Sequence, residues 1–219
     1  MKKTAALILI SVCVTILFAG CSENEQSFEQ KNYEADGTQV NEININVRDR
    51  QIEVSLSKNN KISIEYAESA KEYYDISVSD DNVLTMTASD NKEWDDYIGN
   101  KPAAENRKIS LQIPDSLLKS LKLSTTNEDI HLPELNITDN ITLSSNGGNI
   151  YFEKINADSI ILNGKNGNII GSIAGGYDDY AIECKIKKGN SNLPSVKKDG
   201  SKTLSVTANN GDAEIEFCK

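Results

Sequence analysis

Side chains suited to acid–base or nucleophilic catalysis are few in this 219-residue sequence. His131 is the only histidine, so a His-rich metal site or a Ser-His-Asp triad is hard to build. Polysaccharide cleavage would instead need two carboxylates about 5–10 Å apart. On stacked repeats they should occupy matching outward positions of neighbouring copies, which are Lys122, Thr142, Ile161, Glu183 and Ser205. Because Glu183 has no second carboxylate beside it, the sequence predicts a protein that is not an enzyme. A polysaccharide-acting β-helix enzyme is the alternative.

Side-chain oxygens recur along one edge of the predicted repeats, where they could bind calcium. The residues are Asn127, Asp129, Asn149, Asn168, Asn190 and Asp212. Calcium takes six to eight oxygen ligands, and the known calcium-binding repeats carry a denser glycine and aspartate pattern. Amides outnumber carboxylates here, so we predict turns and no metal site.

A small acidic and aromatic cluster follows Gly175-Gly176. Asp178 and Asp179 lie between Tyr177 and Tyr180. Tyrosines can stack on the apolar face of a sugar while carboxylates accept its hydroxyl protons, so a sugar-binding spot is conceivable. A loop between two repeats is the favoured interpretation, and the sequence does not identify ligand-binding residues.

Residues 1–20 have the organisation of a secretory signal. Lys2 and Lys3 precede an apolar run from Ala5 to Phe18, and two small residues follow it. The run is shorter than the roughly 20 residues that span a bilayer as a helix. We therefore expect export and removal of residues 1–20.

The residues around the expected cleavage point carry a second signal. Leu17-Phe18-Ala19-Gly20-Cys21 resembles the lipobox of bacterial lipoproteins, although Phe18 stands where that motif usually has leucine. The resemblance implies that Cys21 is acylated and fixes the protein to the extracytoplasmic face of the cell membrane. Two acyl chains hold a protein at a bilayer, whereas one alone binds marginally. An ordinary signal peptide with an incidental cysteine, or an uncleaved anchor, are the alternatives.

The charge of the chain limits its partners. The sequence has 23 Lys+Arg, 33 Asp+Glu and a net charge of −10, which becomes −12 when Lys2 and Lys3 leave with the signal. Such a surface is repelled by nucleic-acid phosphates. We predict no nucleic-acid partner and no cofactor. The expected partners are the lipid bilayer, through Cys21, and an envelope or extracellular ligand that the sequence does not identify.

Two cysteines remain in the mature chain besides Cys21. Cys184 and Cys218 could form a disulfide in an extracytoplasmic location. Buried free cysteines that pack as small apolar residues are more common, so we favour free thiols.

Three regions follow the signal. Residues 21–38 are polar and acidic, so they predict a flexible tether after the acylated cysteine, with a short capping helix as the alternative. Residues 39–115 contain alternating apolar and polar positions that predict lead-in strands around Ile45, Val54, Ile64, Leu84 and Leu111. A helical turn is considered only at Ala67–Tyr74, and 88–108 predicts a surface excursion. Residues 116–219 predict repeated coils.

Five copies of one pattern occupy the C-terminal half. In each copy, a trio with apolar first and third residues ends seven residues before the position that follows an Asn or Asp corner, and the copies recur every 19–22 residues. A constant pattern with this period is typical of a solenoid, because each copy can bury its inner face only against its neighbours. We predict one interior column of Leu123, Leu143, Leu162, Cys184 and Val206, and another of Ile130, Ile150 and Ile169.

The corners of these copies are similar to a domain-of-unknown-function family labelled "putative adhesin", with β-strand repeats. They are Thr125–Ile130, Ser145–Ile150, Lys165–Ile169 and Asn209–Ile215, with Ile109–Pro114 similar to the lead-in of that family. The likeness covers roughly 40–219. It implies an all-β fold, a single-stranded parallel β-helix or β-solenoid, on a bacterial surface lipoprotein. The implied role is adhesion, binding or envelope structure, without catalytic residues. Glu128 departs from the usual corner glycine.

Overall fold

The computed structural model describes residues 27–92 and 101–219. The signal, Cys21 and part of the 88–108 excursion lie outside these ranges. The strands are β1 Glu29–Asp36, β2 Glu42–Asn46, β3 Gln51–Leu56, β4 Lys61–Glu68, β5 Glu72–Val78, β6 Val83–Asp90, β7 Lys108–Ile113, β8 Ser120–Thr125, β9 Ile130–Leu132, β10 Leu135–Asn136, β11 Asn140–Ser145, β12 Ile150–Asn156, β13 Ser159–Asn166, β14 Ile169–Ala174, β15 Tyr180–Lys188, β16 Val196–Lys197, β17 Lys202–Asn210 and β18 Ala213–Cys218. None of the helices in the described ranges is long and apolar enough to cross a membrane.

The described strands form two sheets that share one apolar core. Sheet A has the order β1-β4-β7-β3-β9-β12-β14-β18, with β10 beside β12. Sheet B has the order β16-β15-β17-β13-β11-β8-β2-β6-β5. The chain passes repeatedly from one sheet to the other, so neighbours within each sheet are mostly parallel. The predicted all-β, solenoid-like class is confirmed.

Both predicted columns of interior side chains are present. In sheet B, Leu123 pairs with Leu143, which pairs in turn with Leu162. In sheet A, Ile150 lies between Ile130 and Ile169. All of these side chains are fully buried. Each such side chain contributes roughly 1.5–3 kcal/mol on burial, so the stacked columns are the main source of stability.

The last two copies lie in exchanged order. β17 of the fifth copy pairs with β13 of the third, and β15 of the fourth copy stacks outside β17. The column therefore runs from Leu162 through Val206 to Cys184. The predicted order of the coils is wrong on this point, because the strand β17 of the fifth copy lies between those of the third and fourth copies. Cys184 and Cys218 are free thiols, as favoured from the sequence, and Cys184 is buried.

The edge of sheet A at this end is covered by the segment that follows β15. The side-chain amide of Asn192 accepts a hydrogen bond from the Ile215 backbone N–H at 3.0 Å and donates one to its carbonyl at 2.8 Å. The backbone N–H of Asn192 also donates to the Ala213 carbonyl, at 3.3 Å. The outermost strand, β18, thus meets a side chain where a further strand would otherwise pair.

The lead-in strands belong to the same stack. β2 pairs in parallel with β8, and β3 pairs in parallel with β9. Ile45 extends the Leu123 column, and Ile52 extends the Ile130 column. The two predicted parts, 39–115 and 116–219, therefore share one core.

Two local predictions are wrong. Residues 29–36 of the expected flexible tether form β1, which pairs antiparallel with β4 and buries Tyr33. β1 is polar because it is an edge strand, where charged side chains prevent pairing with another chain. The helical turn considered at Ala67–Tyr74 is the passage from β4 to β5. Tyr66 of β4 and Tyr74 of β5 pack edge to face across this passage, with ring centroids 5.3 Å apart.

A buried ion pair ties the end of the stack to the turn between β2 and β3. The Arg50 side chain is 3% exposed and donates to the Glu72 carboxylate of β5 at 2.6 Å. It also donates to the carbonyls of Arg48 and Asp49. The Thr125 hydroxyl donates to the Arg50 carbonyl at 2.7 Å, so the turn stacks on the first repeat corner.

Candidate functional site

The recurring Asn and Asp side chains form a ladder of hydrogen bonds along one edge of the stack. The carboxylate of Asp129 accepts the backbone N–H of Asn149 at 2.7 Å, and the Asn149 amide oxygen accepts that of Asn168 at 2.8 Å. Asn168 accepts from Asp212, and Asp212 from Asn190, at 2.9 and 2.7 Å. These oxygens therefore bond neighbouring coils, which agrees with turn formation.

The corner ladder leaves no room for bulky residues. Gly211 adopts a φ of 143°, and a Cβ built there would lie 2.0 Å from the Gly167 carbonyl oxygen of the next coil. Across the described ranges, no three His, Cys, Asp or Glu side chains come close enough to hold a metal ion.

The outer face of sheet B shows the predicted register. Lys122, Thr142 and Ile161 lie on successive strands. Ser205 lies beside Ile161 and Glu183 beside Ser205. Glu183 forms an ion pair with Lys185. Among these five outward-facing residues, no second carboxylate lies next to Glu183.

The acidic and aromatic cluster is a structural loop. Tyr177–Asp179 form a 3-10 helix, and the Asp179 carboxylate accepts the Gly176 backbone N–H at 2.7 Å. The Tyr180 hydroxyl donates to the Ala174 carbonyl at 2.9 Å, and burial raises the pKa of Tyr180 to about 12. Tyr177 packs edge to face on Phe217. The Asp179 carboxylate and both rings therefore serve the turn between β14 and β15, whereas Asp178 is exposed.

A groove that the sequence did not reveal lies on the outer face of sheet A. Its volume is about 380 Å³. Glu53, His131, Tyr151 and Ile170 follow one another across four adjacent strands. The rings of His131 and Tyr151 stack with centroids 4.9 Å apart and an angle of 26° between their planes. The other lining residues are Val54, Leu132, Pro133, Phe152, Glu153 and Gly171.

The position of these side chains follows from the repeat. His131, Tyr151 and Ile170 each come directly after a buried isoleucine of the Ile130–Ile150–Ile169 column. Since successive side chains of a strand alternate between faces, the residue after the buried one must face outward. The buried column therefore also aligns the side chains of the groove. The residue that follows each buried isoleucine of this column was the sequence signal that could have located the groove.

A β-bulge lies beside the groove. Pairing between β12 and β14 shifts register after Phe152, so that Glu153 and Lys154 stand opposite Ser172 alone. Lys154 has a φ of 39°, and its backbone N–H donates to the Ser172 hydroxyl at 2.8 Å. Bulges re-aim side chains and occur often beside functional sites.

Close contact at Gly171 shapes the floor beside the bulge. A Cβ at Gly171 would lie 2.2 Å from the Phe152 carbonyl oxygen and 2.5 Å from its ring. Only glycine fits there, because any side chain would displace the Phe152 backbone.

Charged groups border the stacked rings. Glu53 forms an ion pair with Lys108. The His131 Nε2 lies 3.9 Å from the nearer Asp129 carboxylate oxygen, and Glu153 is exposed. The groove thus combines an aromatic platform with acceptors at its rim, an arrangement that can hold a ligand with one apolar face and several hydroxyls.

One solved structure shares the fold of this chain. A crystal structure of a putative cell adhesion protein from Clostridium sporogenes superposes with a TM-score of 0.60 at 14% identity, and the match covers 89% of this chain and 100% of that one. A putative adhesin from Bacteroides fragilis gives a TM-score of 0.35 at 12% identity over 87% and 97% of the two chains. Curated protein sequences give no match.

The family is shown by the sequence itself. The model of the family described as Toastrack DUF4097 matches residues 40–219, which include every strand from β2 to β18. The expected membership in a β-strand-repeat family of unknown function is confirmed. The chain belongs to the Toastrack DUF4097 family.

Proposed function

We propose that the protein is a membrane-anchored, extracytoplasmic binding protein without catalytic activity, which attaches to carbohydrate through the groove of sheet A. The stacked His131 and Tyr151 rings are the observation that carries this proposal. An adhesive role is in keeping with the names of the two structural neighbours described above, although the fold alone links them to this chain.

Anchoring is proposed at Cys21, which lies outside the described residues. The support is the lipobox-like segment 17–21 behind a charged start and an apolar run. Glu29, where β1 begins, follows Cys21 by eight positions, so the domain would stay within about 28 Å of the acylated residue. The surrounding acidic charge would keep the tethered domain soluble.

Carbohydrate is the proposed ligand class because the groove offers two complementary surfaces. The C–H face of a sugar ring can pack on the Tyr151 ring, which is only partly exposed and held in place by His131. At the rim, the carboxylate of Glu153 can accept hydrogen bonds from sugar hydroxyls. The carboxylate of Glu53 can do the same in addition to its ion pair with Lys108.

The anchor is tested by fractionation. Cells expressing the Cys21→Ser variant should release the protein from the membrane, and the wild type should incorporate a radiolabelled fatty acid. Membrane retention of the variant without label would refute acylation at this residue.

The groove is tested on an array of bacterial and host glycans with the full-length protein in detergent. Tyr151→Ala should abolish the strongest glycan signal, whereas Tyr177→Ala removes a tyrosine that is 43% exposed elsewhere and should leave the signal unchanged. Equal loss in both variants, or no glycan signal for the wild type, would overturn the carbohydrate assignment.

The same preparation decides between binding and cleavage, because Glu53 and Glu153 border one groove. The protein should release no reducing ends from pectin or cell-wall polysaccharides. Turnover that disappears in Glu153→Gln would replace the binding role with a glycan-cleaving one.

A further inference from the structure

We propose that the end of the stack formed by β15 and β16 is a docking surface for a phosphate-rich anionic polymer. This surface, here named the lysine cap, comprises the exposed residues Lys187, Lys188 and Lys198 at that end, together with exposed Lys165 of β13, two strands further in. It is separate from the groove, which lies on sheet A.

Charge is distributed unevenly along the stack. Residues 185–202 contain six lysines and a single acid, Asp199, although the whole chain has a net charge of −10. Residues 27–92, which supply β1–β6, carry 13 acids against 7 bases. The segment 185–202 is therefore a local concentration of basic residues on an acidic molecule, and residues 27–92 make the opposite end acidic.

The lysines of the region divide into two groups by their contacts. The Lys197 ammonium donates to the Tyr180 carbonyl at 2.9 Å, and the Lys202 ammonium donates to the Asn156 side chain at 2.6 Å. Lys185 forms an ion pair with Glu183. These three lysines hold the fold together.

The four lysines of the lysine cap are exposed and form no ion pair with any described carboxylate. Lys188 pairs with Asn210, which pairs with Asn166, so Lys165, Lys187 and Lys188 lie at the C-terminal ends of their strands. Lys197 pairs with Ile182, so Lys198 lies near the start of β15, about 20 Å along the strand from Lys187. Strands two positions apart are separated by about 9.6 Å. The charges are thus spread over a surface and are not gathered around one small ligand.

The separation of these lysines favours a long, flexible anion as the partner. A flexible polymer with repeated phosphates can contact several separated lysines at once, and its binding gains from the counterions that it releases. A single free phosphate would meet one ammonium group at a time on this open face.

The place of the lysine cap also favours a polymer over a lipid surface. Eight strand-to-strand steps separate β16 from β5, or about 38 Å. β1 lies at the β5 end and is the strand nearest to Cys21 in the chain. If the proposed lipid anchor holds the β1 end near the bilayer, the lysine cap points away from it. This orientation rests on the proposed function, but polymer binding itself does not.

Long-chain inorganic polyphosphate is the probe, titrated against the full-length protein in detergent. Lys187→Gln/Lys188→Gln/Lys198→Gln should weaken binding at least about tenfold and lower the slope of log affinity against log salt by about 2. The matched control, Lys58→Gln/Lys119→Gln/Lys122→Gln, removes three exposed lysines elsewhere and should bind like the wild type. Both variants should keep the wild-type melting temperature.

Three outcomes would overturn the proposal. They are undetectable binding by the wild type, an equal loss in the control variant, and tighter binding to phosphatidylglycerol vesicles that depends on the same three lysines. Tyr151→Ala should bind polyphosphate normally, so a failure of the glycan test and a failure of this one are distinguishable.

Discussion

Replacing Ile150 with alanine removes three carbons from the centre of the sheet A column. Ile150 is fully buried and lies directly between Ile130 and Ile169, each of which is equally buried. Strands above and below are held by backbone hydrogen bonds, so the space cannot close by a simple shift of the coils. Truncating a buried isoleucine to alanine costs about 2–5 kcal/mol.

The matched change is Ile161→Ala, the same truncation on the outer face of sheet B. Ile161 is partly exposed, and its neighbours Thr142 and Ser205 do not enclose it. We expect a loss below about 1 kcal/mol, since partly solvated side chains leave no closed cavity.

Urea titration gives the free energy of unfolding of both variants and heating gives their melting temperatures, each followed by circular dichroism. A cost of about 3 kcal/mol would lower the melting temperature by roughly 6–12 °C in a domain of this size. If Ile150→Ala and Ile161→Ala cost the same free energy of unfolding, the assignment of inner and outer faces would be refuted.

Three further changes test other parts of the structure. Glu72→Ala leaves the buried Arg50 charge unpaired, so the free energy of unfolding should fall by about 3 kcal/mol in urea titrations. Gly171→Ala should lower it by about 1–3 kcal/mol, because the new methyl group meets the Phe152 carbonyl, and a cost near zero would contradict that contact. Burial raises the pKa of Tyr180 to about 12, so its neutral form stabilises the fold fully below pH 10 and this contribution is lost as the pH rises towards 12. Unfolding midpoints measured across that window should decline less steeply in Tyr180→Phe.

The interior could be predicted from the sequence because stacking imposes one spacing on every coil. A constant interval from Leu123 to Ile130, repeated in each copy, specifies which residues share a column. The exchange of β15 and β17 could not be predicted. Cys184 and Val206 are both small apolar residues that fit next to Leu162, and the sequence around them does not indicate which one lies there.

The groove and β1 escaped prediction for different reasons. His131 and Tyr151 are 20 residues apart, and only knowledge of the pairing register makes them neighbours. A polar segment such as 29–36 can be either an edge strand or a flexible tether. In the structure it is an edge strand that buries one residue, Tyr33.

The amide of Asn192 has a consequence for the size of the particle. Parallel coils with matching ends are templates for endless growth, since each exposed strand offers the hydrogen-bonding groups that another molecule could use. Here the chain occupies those groups at β18 with its own side chain. Copies at high concentration would consequently stay discrete units of fixed height, because Asn192 blocks strand addition at the start of β18.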